Sequence, residues 1–171
     1  MDPTAIGKLQ LTDVVKKVPL DILTVKFGEH SVNFGETLTP TQVKHRPTVS
    51  WPADSTKLYT LVLTDPDAPS RANPEYREWL HYLVVNIPGC EVYQGEVCFD
   101  YVESGPPKDS GLHRYIYLVY EQTEKITFEE KKHSDCEAAE RGGQKVEKIA
   151  EKYKLGDPLF VNVYLAEYDD H

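Results

Sequence analysis

Asp65, His81, His113 and Tyr115 are the side chains whose types and placement suit the capture of an anion. Imidazole N–H and phenol O–H groups donate hydrogen bonds to phosphate oxygens. The loop from Glu103 to Gly111, which carries Gly105, Pro106 and Pro107, can add backbone N–H donors. Asp65 cannot hold a phosphate itself. Its part in such a site is to fix an imidazole and favour its protonated form, because an adjacent carboxylate raises a histidine pKa. Each residue also has a bland explanation. The stretch Thr64 to Arg71 has the Asp and Pro content of a hairpin turn. His81 fits a core position with a satisfied hydrogen bond, and His113 with Tyr115 fits the half-buried aromatic face of an antiparallel sheet.

Other chemistries fit less well. Asp65-x-Asp67 has the spacing of a metal-binding pair but lacks a companion phosphate-binding motif. Asp65, His81 and His113 contain no close-spaced zinc ligands. Ser70 or Ser104 with His113 and an Asp supplies parts of a hydrolase triad, yet neither serine lies in a Gly-x-Ser-x-Gly turn. No cysteine sits in a phosphate-cradling loop, and no Walker-type loop occurs. The residues read as a binding site without cofactor or metal. A phosphoester hydrolase or metal-dependent enzyme built on the same Asp and His residues is the alternative.

The elements that must position these groups are mostly strands. Leu58 to Leu63 is apolar and β-prone, so it predicts a buried strand ending at Asp65. Pro66 and Pro69 stiffen the loop that follows. Trp79 to Ile87 predicts a second strand, whose strict alternation sets His81, Leu83 and Val85 on one face. His113 to Tyr120 predicts a third, with His113, Tyr115, Tyr117 and Val119 on one face and Arg114, Ile116, Leu118 and Tyr120 on the other. Leu20 to Phe27 and Ser31 to Phe34 predict a hairpin. Short strands are expected at Pro47 to Trp51, Glu96 to Val102 and Leu159 to Tyr168. A turn of helix is predicted from Thr12 or Asp13 to Lys16. The best helix is Gln144 to Lys154, with Val146, Ile149, Ala150 and Tyr153 in one stripe and Gly156 as its stop. Glu129 to Gly143 reads as a charged surface excursion.

Thr64-Asp65-Pro66-Asp67-Ala68-Pro69-Ser70-Arg71 resembles one signature of the phosphatidylethanolamine-binding protein family. Gly105-Pro106-Pro107 with Gly111 to Tyr120 resembles its other signature, and the likeness to the animal cytosolic, Raf kinase inhibitor protein-like branch is strong over roughly residues 20 to 125. The resemblance implies a mainly β, two-sheet antiparallel fold with peripheral helices. It implies a phosphate-head-group pocket at Asp65, His81, Gly105, Pro107, His113 and Tyr115, walled by Ala68, Tyr76 and Trp79, in which phosphoethanolamine or a related anion binds. It also implies cis bonds at Ala68-Pro69 and Arg77-Glu78, regulation of Raf-type kinases, and protease inhibition in some members. Asp67 matches the signature but suits loop geometry more than ligand. Animal members usually continue into a C-terminal helix that helps close the pocket. The chain ends at Asp169-Asp170-His171, so a more open pocket is expected. Leu80, Gln144 and Tyr168 stand where relatives often carry His, Phe and Trp.

The 171 residues suit one domain. A net charge of −9 disfavours a nucleic-acid backbone and an anionic membrane surface. No apolar run is long enough to span a bilayer. Cys90, Cys98 and Cys136 are expected to be buried thiols, and with no leader-like start they favour the cytoplasm; a monomer is expected.

Overall fold

Three long strands carry the molecule: β6 (Leu58–Asp65), β7 (Trp79–Pro88) and β9 (His113–Gln122). The structure is a computed structural model that describes residues 3–170. Seven further strands complete it: β1 (Asp21–Ile22), β2 (Thr24–Phe27), β3 (His30–Ser31), β4 (Glu36–Thr37), β5 (Thr48–Ser50), β8 (Glu96–Phe99) and β10 (Phe160–Ala166). The larger sheet runs β1-β10-β9-β6-β7-β8, with β4 also paired to β10, and β3-β2-β5 form the smaller one. The long pairings are antiparallel, while the two-residue strands β1 and β4 lie parallel to β10.

Strand alternation splits the apolar residues between two cores. Leu61 and Leu63 of β6 and Tyr115, Tyr117 and Val119 of β9 pack against Val25, Phe27 and Val49 of the smaller sheet. Val62, Ile116, Leu118 and Tyr120 face the opposite way. They meet Leu11, Val14 and Val15 near the N-terminus and the helix stripe from Val146 and Ala150. Each such side chain removed from water contributes roughly 1.5–3 kcal/mol, enough to fix which face points where.

Five expectations change. The Leu20–Phe27 run is two strands, because the chain crosses between sheets at Leu23, whose N–H bonds Val161 and whose carbonyl accepts from Asn162. The helix near the N-terminus is α1, Pro3–Leu9, followed by a 3-10 turn at Leu11–Asp13. The carbonyls of Leu9 and Gln10 turn to accept Arg114 Nη1 there, so no helix runs on to Lys16. Helix α2 is only Val146–Lys152. Its start is delayed because Gln144 N–H pairs in extended fashion with the Glu78 carbonyl, and Lys154 ends it with φ 55°. Strand β8 stops at Phe99 because the main chain next pairs with His133 instead. All three cysteines are free, but only Cys98 is buried; Cys136 is exposed in the charged excursion.

Candidate functional site

Strands β6, β7 and β9 end around a cavity of about 310 Å³. Asp65 closes β6, and the loop beyond it brings Ala68 and Pro69 to the wall. Trp79 and His81 come from β7, His113 and Tyr115 from β9, and Gly105 and Pro107 from the connecting loop, with Tyr76 half-exposed at the mouth. All nine residues singled out by resemblance therefore line one cavity. Pro69, Val102 and Glu103 join them. The peptide bonds Ala68-Pro69 and Arg77-Glu78 are both cis.

His81 reaches this cavity through a break in the alternation. Leu63 pairs with Tyr82 and Thr64 with Leu80, so His81 is an extra residue in β7. Such a bulge re-aims a side chain. Leu80, Leu83 and Val85 face the far core, whereas His81 lies beside Trp79, with ring centroids 4.5 Å apart, and near Tyr115 at 5.4 Å. Strict alternation had grouped His81 with Leu83 and Val85; the bulge separates them.

Hydrogen bonds hold both histidine rings in place. Asp65 Oδ2 accepts from His113 Nδ1 at 2.8 Å, and Asp65 Oδ1 accepts from the Asp67 N–H at 2.7 Å. His113 Nε2 lies 2.9 Å from Ser110 Oγ, whose single hydrogen goes to the Pro107 carbonyl at 2.6 Å. His113 is thus tied at both ring nitrogens, Nδ1 to Asp65 and Nε2 to the Ser110 hydroxyl. Ser110, His113 and Asp65 thus have the connectivity of a Ser-His-Asp triad, although Ser110 lies in no Gly-x-Ser-x-Gly turn. His81 differs. Its Nδ1 donates to the Val102 carbonyl at 2.8 Å. Burial pushes its pKa down to about 4, against the opposing pull of Asp65, so His81 is neutral near pH 7. The expected carboxylate effect loses to desolvation at this ring. A Cβ at Gly105 would meet nothing within 4 Å, so its backbone faces open space.

The family model for phosphatidylethanolamine-binding protein matches residues 22–164. The chain belongs to this family. A Drosophila melanogaster relative, "Putative odorant-binding protein A5", is 38% identical over 162 residues, covering 94% of this chain and 77% of that protein. The solution structure of CG7054 is 46% identical, with a TM-score of 0.76 over 92% of this chain and 90% of its own. A carboxypeptidase Y inhibitor solved with its cognate proteinase shares the fold at 24% identity, with a TM-score of 0.79 over 97% of this chain and 94% of its own. Family membership makes this a ligand-binding protein of the phosphatidylethanolamine-binding type.

Around this cavity stands a frame that the residue pattern did not reveal. Arg114, on the apolar side of β9, is fully buried and grips Asp67, with Nε to Oδ2 at 2.8 Å and Nη2 to Oδ1 at 2.7 Å. Asp13 meets its Nη1, and Arg77 reaches Asp67 from the side. Asp67 does not line the cavity. Arg141 is also fully buried. Its guanidinium donates to the carbonyls of Glu137, Leu80, His81, Asp100 and Ser134. It sits over the Trp79 ring at 5.7 Å, so the cation braces both pocket-lining residues of β7. Glu78 is buried as well; burial lifts its pKa to about 7 while its Oε1 accepts the Val146 N–H at 2.9 Å. Arg114 left one signal, a charge in an apolar register. Arg141 left none, since it lies in the charged excursion. Among the described residues no cluster of His, Cys, Asp or Glu is arranged to hold a metal, and no helix is long and apolar enough to cross a membrane.

Proposed function

We propose that this protein binds phosphorylated anions of the phosphoethanolamine type, one head group at a time, and does not turn them over. What supports the reading is the convergence of His81 and the Asp65–His113 pair on one aromatic-walled cavity at the sheet end. The Tyr115 O–H and the backbone N–H at Gly105 suit phosphate oxygens, and the carboxylates of Asp65 and Glu103 at the wall suit an ammonium. The occupied pocket then regulates a protein partner in the cytoplasm, with the protein acting as a monomer. The family resemblance points to a Raf-type kinase, with protease inhibition as a secondary activity.

Calorimetric titration with O-phosphoethanolamine and with inorganic phosphate tests this, comparing the protein with its His113→Ala and Asp65→Ala variants near pH 6 and pH 8. Saturable binding that is lost in both variants and weaker at pH 8 supports the proposal. Absence of binding under every condition, or steady phosphoester turnover abolished by His113→Ala, overturns it.

A further inference from the structure

A second cavity, of about 240 Å³, shares no lining residue with the one at the sheet end. Leu83 of β7, Phe99 at the end of β8, Phe128 and Ile149 of α2 give it apolar walls. Its rings form a connected series. Phe99 stacks on His133, with centroids 4.3 Å apart and planes 7° from parallel, and meets Phe128 edge-on at 6.5 Å. Phe128 stacks in turn on Tyr153 at 5.9 Å. Walls of this kind offer faces and edges to a further aromatic ring. The His133 ring is buried and its Nδ1 has no hydrogen-bond partner, so the wall still holds a polar atom to satisfy.

The rim has the opposite charge to the molecule. Lys148 and Lys152 lie four residues apart on one face of α2, Lys145 stands three residues before Lys148, and Lys131 comes from the charged excursion. Against these four stand only Glu130 and Glu140, in a chain whose net charge is −9. Lys152 pairs with Glu129 and Glu130, and Lys131 with Glu137. Among the described residues Lys145 and Lys148 enter no ion pair, and both are exposed at the mouth. Arg141 adds a positive charge behind the apolar wall, 5.5 Å from the centre of the Phe99 ring.

We infer that this cavity is a second binding site, for a small aromatic carboxylate whose ring packs against Phe99, Phe128 and Ile149 and whose carboxylate meets Lys145 and Lys148. An aliphatic anion satisfies the lysines but not the rings, and an aromatic cation is repelled at the rim. The site goes beyond the proposed function and can fail without it.

The probe is 2-naphthoate, with 2-naphthamide as an uncharged counterpart of the same shape, titrated calorimetrically at pH 7.5. We expect one saturable site that binds the carboxylate about tenfold or more tighter than the amide. Lowering the ionic strength from about 0.15 M to about 0.01 M lengthens the screening distance from about 8 Å to about 30 Å, which tightens the carboxylate and leaves the amide unchanged. The double variant Lys145→Gln/Lys148→Gln changes two exposed side chains, so its fold is retained. It should bind 2-naphthoate about tenfold more weakly and 2-naphthamide as before, with O-phosphoethanolamine binding untouched. Saturating O-phosphoethanolamine should not displace 2-naphthoate. Absence of saturable 2-naphthoate binding, equal affinity for acid and amide, undiminished affinity in the double variant, or displacement by O-phosphoethanolamine overturns the inference. Failure of O-phosphoethanolamine to bind overturns the proposed function alone, and the double variant then still decides this site.

Discussion

Asp65 and Asp67 stand two residues apart in one loop and end in opposite kinds of environment. Asp65 holds His113 at the cavity wall; Asp67 holds Arg114, the next residue of β9, on the far side of the sheet. Successive residues of a strand point to opposite faces, so one Asp-Pro-Asp turn can grip both faces of β9 at once. The two pairs differ in what they leave open. His113 borders a space that a ligand can enter, whereas the Asp67–Arg114 pair is sealed, with both side chains fully buried and the guanidinium satisfied by Asp67, Asp13 and two carbonyls. The same residue type in the same motif therefore borders the cavity on one side and serves as framework on the other.

The sharpest way to break this comparison is to remove each carboxylate. Asp67→Ala leaves a buried guanidinium without its main counter-charge, and breaking such a pair costs about 3–5 kcal/mol. Urea denaturation should show a loss of this size. Asp65→Asn, which keeps shape and removes charge, should cost about 1–2 kcal/mol yet reduce O-phosphoethanolamine affinity at least tenfold. If the two variants lose similar stability, the division between recognition and framework is wrong.

Next in size is a pH effect that contrasts two buried groups flanking Leu80. His81 has its pKa held down to about 4, so between about 6.5 and 4 the unfolded chain binds a proton that the folded one refuses, and stability falls as pH falls. Glu78 has its pKa lifted to about 7, so between 4.5 and 7 the folded chain keeps a proton that the unfolded one releases, and stability falls as pH rises. The slopes oppose one another, and the wild-type profile near pH 5 to 6.5 should be shallow. Glu78→Gln should unmask the His81 slope, a loss of up to about 2 kcal/mol on going from pH 6.5 to pH 5. A profile as shallow as wild type would show that His81 is not held neutral.

The smallest effect concerns Ser110, whose Oγ lies 2.9 Å from His113 Nε2 and occupies that nitrogen. Ser110→Ala should free that nitrogen for the ligand and tighten O-phosphoethanolamine binding about three- to tenfold, an energy near 1 kcal/mol. Weaker binding would mean that Ser110 contacts the ligand itself.

Much of this was legible along the chain. The strand-forming runs at Leu58, Trp79 and His113, the faces of β9 and the helix stripe at Val146, Ile149 and Ala150 follow from local apolar periodicity, which acts through nearest neighbours and so leaves a mark in sequence. The nine pocket residues were nameable because two signatures match a known family; periodicity alone had left His81 on the wrong face. A bulge is one extra residue whose position depends on how the partner strand pairs, and β7 read alone does not reveal it. Arg141 was hidden for the same kind of reason. Its five carbonyl partners come from β7, from the segment after β8 and from its own excursion, and only folding gathers them. The sequence by itself determined the family, the strands and the chemical groups available for a ligand. Tertiary structure decided which groups reach the cavity and which partners hold the His81 and His113 rings, because those depend on burial and on hydrogen-bond partners distant in the chain.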